Sequence, residues 1–209
     1  MEIVSLGHSS FKIIGKEITI VSDPYDSEKV GLSFPRTEAD VVTISHDHYD
    51  HNKISAVRGD AICFDSPGEY EIKNTEIVGV ESYHDKAQGA ERGLNTIFLY
   101  RIDGIKICHL GDLGSDLSSD QLERIDGVDI LFVPVGGKYT LDGKEAAKLV
   151  SEIEPKIVVP MHFKTGKMTD IDSVDSFLKE IGKDPKKTDR IKIQKKDLPE
   201  NLEVIILEK

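Results

Sequence analysis

Residues 46–51, HDHYDH, put three histidines and two aspartates into six consecutive positions directly after the apolar stretch DVVTIS at residues 40–45. A fold that accommodates this tract must gather five titratable side chains at the end of a strand. Alternate side chains of an extended chain share a face, so His46, His48 and Asp50 would point one way and His51 elsewhere. A helix would separate His46 from His48 and suits the pattern less well. Imidazole and carboxylate are ligands for zinc and its first-row neighbours, and a turn after a strand gathers them at modest entropic cost. Asp50 and His51 cannot easily join both preceding histidines on one small tetrahedral ion, so the tract points to a second ion. A solvated loop, the alternative, leaves the clustering without a cause.

The rest of the chain places this tract in an α/β (α+β) pattern. The first third reads as strands, EIVSL, SFKII, EITIVSD, DVVTIS, AICFD, YEIK and TEIVGV, with Gly15-Lys16 as a hairpin turn. A second hairpin, NTIFLYRID and IKICHLGD, turns at Asp103-Gly104. Strands then alternate with helices: a short helix near SSDQLERI, the strand DILFVPV, a helix from about 142 to 154, the strand KIVVPM, and a helix from about 171 to 181. Ala146, Leu149, Val150 and Ile153 share one helical face, as do Val174, Phe177, Leu178 and Ile181, so both helices should cover a sheet. RIKIQ and LEVIIL close the chain, and the Lys-rich KDPKKTDR reads as a solvated loop. With no linker in sight, residues 1–209 are expected to form a single domain. Two hairpin-led blocks, each with helices, suggest two sheets packed face to face with helices outside.

The 209 residues carry 27 Lys plus Arg against 38 Asp plus Glu, a formal charge of −11 that opposes nucleic-acid and anionic-membrane partners. The start lacks a signal-peptide pattern and no apolar run reaches the ~20 residues of a membrane helix, so a soluble, cytoplasmic protein is expected. Cys63 and Cys108 lie in apolar strands without a CxxC partner and read as reduced core residues.

All seven histidines sit near a strand end or its loop: His8, the trio, His84, His109 and His162. In that order, HDHYDH, His84, Asp112 in HLGD and His162 in PMH resemble the metallo-β-lactamase-fold metallohydrolases, over nearly the whole chain. LGHSSFKI, SDPY, GLNTIFLYRIDGIKICHLGDLG and VPVGGKYTLDGKEA are similar to the small lidless branch related to ascorbate-6-phosphate lactonases. The resemblance implies an αββα four-layer sandwich and two divalent ions. It places His46, His48 and His84 on the first ion, Asp50, His51 and His162 on the second, and Asp112 between them. Zinc is the first expectation, with manganese, iron or nickel compatible with the same donors.

The implied reaction is hydrolysis of a small ester, lactone or phosphoester by a metal-activated water, with Asp50 orienting that water or accepting its proton. An open site, or one closed by the partner subunit of a homo-oligomer, would follow from the missing lid. A mononuclear iron persulfide dioxygenase keeps the same tract but uses only the first site, and a noncatalytic metal-binding or sensing protein would keep the ligands without turnover.

Several residues keep open roles. His8, in a glycine-flanked loop similar to one that approaches the site in this branch, either contacts substrate or a ligand, or makes a structural hydrogen bond. Asp23 either accepts a hydrogen bond from a ligand or shapes a turn, and His109 reads as a satisfied core histidine or one that holds a ligand. Lys138 in GGKYT, Arg92 and Lys164 are candidate contacts for an anionic group or simply solvated cations.

Overall fold

The computed structural model describes residues 1–166 and 168–209. Among these, one sheet has six strands in the order Arg190–Lys192, Glu2–Gly7, Ser10–Ile14, Thr19–Ser22, Val41–Thr43 and Ile62–Phe64. A second has eight, in the order Lys186–Thr188, Glu203–Leu207, Ile157–Met161, Ile130–Pro134, Ile105–His109, Leu94–Ile102, Thr75–Tyr83 and Gly68–Ile72. Both hairpins form where the turn residues place them. Ile14 pairs with Thr19 around residues 15–18, and Ile102 pairs with Ile105. Asp103 and Gly104 both take positive φ, 52° and 79°, the twist that a two-residue hairpin turn needs.

The strand Leu94–Ile102 is apolar on both faces because it is buried on both. Phe98, Tyr100 and Ile102 point into the layer between the sheets, whereas Ile97 and Leu99 point outward toward the helices. The inner layer brings Ile3, Phe11, Ile13 and Ile20 against Phe98, Ile107, Phe132 and Val159. Phe11 stacks on Phe132 with 4.2 Å between ring centroids. Thr43 Oγ1 and Tyr100 Oη, buried on opposite sheets, satisfy each other at 2.7 Å. On the outer face of the larger sheet, the helix Gly143–Ile153 lays down Ala146, Leu149, Val150 and Ile153, and the helix Asp175–Ile181 adds Phe177. Asp142 caps the first of these in a reciprocal box with Glu145.

Three sequence expectations are corrected. The first block holds only a four-residue α-helix, Ser27–Val30, so the outer face of the six-stranded sheet is covered by Phe34, Ala39 and Val57 of the connecting segments rather than by a long helix. The last long helix starts at Asp175, not 171, because the Asp172 amide donates to the Gly136 carbonyl and its own carbonyl accepts from Lys164. Within KDPKKTDR, Lys186–Thr188 pairs in parallel with Ile205–Leu207. Its lysines face solvent at a sheet edge, where charge discourages further strand pairing. No helix among the described residues is long and apolar enough to cross a membrane.

Candidate metal centre

Six connections at one rim of the two sheets carry the titratable side chains. His8 follows the strand Glu2–Gly7, Asp23 follows Thr19–Ser22, and HDHYDH follows Val41–Thr43. His84 follows Thr75–Tyr83, Asp112 lies just past Ile105–His109, and His162 follows Ile157–Met161. The backbone there is specialised. Gly111 has φ 59°, and a Cβ on it would lie 2.3 Å from Asn95 Oδ1. A Cβ on Gly136 would lie 2.1 Å from the His162 carbonyl oxygen. Asn95 locks the Asp112 loop by accepting from the Asp112 amide at 2.9 Å while donating to Ser82 Oγ and the Leu110 carbonyl.

The HDHYDH tract is a tight turn, not the extended segment that spacing alone suggests. The amides of His51 and Asn52 both donate to the His48 carbonyl, at 2.9 and 3.0 Å. As a result Asp50 leaves His46 and His48 and comes beside His51. Two neighbouring donor clusters form, His46 with His48 and His84, and Asp50 with His51, His162 and His8. A third grouping, His46 with His51 and Asp112, joins them. Asp112 Oδ2 lies 3.7 Å from His46 Nε2, 3.3 Å from His84 Nε2 and 3.0 Å from His162 Nε2, and Oδ1 lies 3.2 Å from His51 Nε2.

The fit to a metal is tested by what these atoms lack. His46 Nε2, His51 Nε2 and Asp112 Oδ1 are buried without an aligned hydrogen-bond partner among the described residues. Leaving one such group unpaired costs about 1–3 kcal/mol, so three converging on one space indicate a ligand. The far-side ring atoms of His46 and His51 are held, whereas Nδ1 of His84 and His162 has no partner among the described residues. His51 Nδ1 meets Asp23 Oδ2 at 2.8 Å, and His46 Nδ1 meets Ser45 Oγ at 2.9 Å, itself donating to Asp23 at 2.6 Å. Such outer hydrogen bonds orient metal-binding imidazoles. His109 is satisfied elsewhere, through the Ser9 carbonyl and the Gly111 amide. Cys63 and Cys108 are free thiols outside every donor cluster found among the described residues.

Electrostatics favour a cation. Burial and then His51 hold His46 well below the usual imidazole range, burial and His84 lower His48, and burial and His162 bring His8 down to about 4. Burial also opposes charge on His51, but Asp112, Asp23 and Asp50 face it and raise it well above its ordinary value. The same pairings, outweighing burial, keep Asp23, Asp50 and Asp112 below the usual carboxylate range. Three carboxylates held in their charged form thus stand beside His8, His46 and His48, whose rings resist protonation.

A cavity of about 600 Å³ opens over the clusters, lined in part by His48, Asp50, His84, Asp112 and His162. Its cations are Lys29, Lys53 and Arg92, of which Lys53 is 3.2 Å from Asp26. The Arg92 guanidinium lies 3.8 Å from the centre of the Tyr139 ring. Lys138 is instead paired with Asp170 at 2.7 Å, and Lys164 is exposed outside the cavity lining. Lys29, Tyr49 and Tyr139 also line the cavity without belonging to a ligand pattern, Tyr49 from inside the HDHYDH tract and Tyr139 from inside GGKYT.

Comparison with known proteins follows the same lines. The family described as the beta-lactamase superfamily domain matches residues 2–162, the span that holds every donor named above. The chain is 30% identical over 186 residues to the UPF0173 metal-dependent hydrolase of Thermococcus onnurineus (strain NA1), covering 77% of this chain and 83% of the relative. It is 30% identical over 191 residues to the UPF0173 metal-dependent hydrolase of Staphylothermus marinus, covering 77% and 82%. In three dimensions it is similar to a candidate Zn-dependent hydrolase of the metallo-beta-lactamase superfamily from Thermotoga maritima. The TM-score is 0.84 at 35% identity, over 99% of this chain and 98% of that one.

Proposed function

The chain belongs to the beta-lactamase superfamily, and from that membership we propose that it is a metal-dependent hydrolase that holds two divalent ions and cleaves a small ester, lactone or phosphoester. The observation that carries this reading is the position of Asp112, within 3.7 Å of ring nitrogens in both donor clusters on the floor of an open cavity. His46, His48 and His84 would hold one ion and Asp50, His51 and His162 the other, with Asp112 as the carboxylate that would be shared between them. When bound, such ions supply Lewis acidity that lowers the pKa of a water and stabilises charge developing on the scissile oxygen. Zinc suits these N/O donors, as do manganese, iron and nickel.

The protein's own groups supply position and proton transfer. Asp50 lines the cavity, which supports reading it as the carboxylate that orients the attacking water and accepts its proton. Arg92, stacked on Tyr139, and Lys29 are cations of the cavity lining that would meet an anionic group of the substrate. A persulfide oxygenase working with one ion would need only the first cluster, so the buried second cluster supports the two-ion hydrolase.

The test is elemental analysis after reconstitution, followed by ester, lactone and phosphodiester panels with each candidate ion. The expected result is close to two ions per chain with metal-dependent turnover of at least one substrate class. Saturation at one ion would overturn the two-ion site, and two ions without turnover on any panel would favour a metal-sensing protein.

A further inference from the structure

We propose that His8 is a direct ligand of the second ion, which would then be held by His8, Asp50, His51 and His162 together with Asp112. This inference rests on the two-ion reading above and extends its ligand set. His8 has a side chain with no exposed surface, and neither ring nitrogen has a hydrogen-bond partner among the described residues. A structural histidine would be satisfied, as His109 is by Ser9 and Gly111. His8 is also absent from the lining of the cavity over the clusters and borders instead a separate cavity of about 500 Å³ beside Leu32 and Phe163.

The distances suit ligation. Two donors held at ~2.1 Å from one ion stand ~3.4 Å apart at the tetrahedral angle and at most ~4.2 Å apart. From Asp50 Oδ2 to the Nε2 atoms of His8, His51 and His162 the separations are 3.4, 3.8 and 4.0 Å. All four donors lie within 4.8 Å of one another, so any pair wider than ~4.2 Å has only to close by a few tenths of an ångström on ligation. The backbone also holds His8 in an unusual conformation, with φ 53° after Gly7 at φ 107°. A Cβ on Gly7 would come 2.6 Å from Tyr25 Oη, so the glycine is needed to bring His8 inward. Five protein donors at the second position against four at the first would favour an ion that takes five or six ligands there, such as manganese, iron or nickel.

The test uses cobalt(II) as the probe in the full chain. His8→Asn keeps a residue that tolerates positive φ but is too short to replace Nε2. Wild type should bind two cobalt ions. His8→Asn should hold the second at least about tenfold more weakly, with stronger visible absorption as that ion loses a ligand. His8→Gln, with its longer reach, should recover part of both. Should His8→Asn fold poorly, wild type still decides by NMR. His8, His46, His48, His51, His84 and His162 would each give one paramagnetically shifted ring N–H in the cobalt protein, and the lack of a His8 signal would overturn the inference. Unchanged affinity and spectrum in His8→Asn would overturn it while leaving the two-ion site standing. Only a wild type that saturates at one ion would remove both.

Discussion

Asp23 Oδ2 lies 2.8 Å from His51 Nδ1, and the same carboxylate accepts the Ser45 amide at 2.8 Å and the Ser45 hydroxyl at 2.6 Å. One buried aspartate, outside both donor clusters, thus fixes the start of the HDHYDH turn and the tautomer of its last histidine. His51 must donate from Nδ1, which leaves Nε2 free to face Asp50 and Asp112.

Asp23→Asn tests this directly. With its amide oxygen on the Ser45 amide, the asparagine would present an N–H to His51 Nδ1, which would have to accept and move its ring proton to Nε2. We expect the affinity for the ion at the Asp50–His51–His162 cluster to fall by about 10–100-fold, with a smaller loss at the other ion through Ser45 and His46. Competition titrations against a chelator report each affinity. Equal affinities in the variant and the wild type would show that Asp23 only shapes the turn.

Asp112 and His162 should differ in kind. Asp112 approaches donors of both clusters, whereas His162 belongs to one. A shared carboxylate offsets part of the repulsion between two dications, which is severe at the ~3.5–4 Å spacing of two-metal sites. Asp112→Ala should weaken both ions and leave little hydrolysis. His162→Ala should mainly empty the second position and retain slow turnover. Two tightly held ions and near-normal rates in Asp112→Ala would remove the bridging role.

Gly111 gives a steric test of the same loop. Besides meeting Asn95 Oδ1, an added Cβ would lie 2.6 Å from the Ser45 Cβ, so Gly111→Ala has to displace two residues that hold donors in place. We expect a stability loss of about 1–3 kcal/mol, as for overpacking elsewhere, together with weaker binding of both ions. Gly59→Ala is the control, since it also has positive φ, 85°, but nothing within 4 Å of the added carbon. Its metal affinity should match wild type. Denaturant unfolding and metal titration of the pair decide between crowding and simple backbone strain.

The parts of this arrangement that sequence reveals are those written in local pattern. The apolar run Ile97–Tyr100 shows as a strand, and Asp103-Gly104 as a hairpin turn, because both follow from neighbours along the chain. Which donors meet does not follow that way. An extended HDHYDH tract pairs Asp50 with His46 and His48, but the Ser45 amide is captured by Asp23, 22 residues earlier, and the chain turns. Asp23 could be read only as one of two alternatives for the same reason. The strand Lys186–Thr188 was hidden because an edge strand of lysines carries no apolar alternation, and its pairing with Ile205–Leu207 is a long-range contact.

The loop that carries Arg92 gives the pH prediction. The Asp85 carboxylate accepts four backbone amides, from Ala87 at 2.8 Å, Gly89 at 2.9 Å, Glu91 at 3.1 Å and Arg92 at 2.7 Å. Burial pushes its carboxyl up, but these amides, led by Arg92, outweigh it and hold the value below that of a free aspartate. A depressed folded value means that the stabilisation is complete above the unfolded value, roughly 3.9, and is lost as pH falls through the folded one. The 85–93 loop should therefore loosen only in acid, after correction for intrinsic exchange, while Asp85→Asn should loosen it at neutral pH. Hydrogen exchange of the 87–92 amides measures this. Because the loop positions Arg92 against Tyr139 at the cavity, Asp85→Asn should also raise KM for an anionic substrate more than it lowers kcat, with both ions retained. Unchanged protection of these amides in Asp85→Asn would show that the loop is held by other contacts.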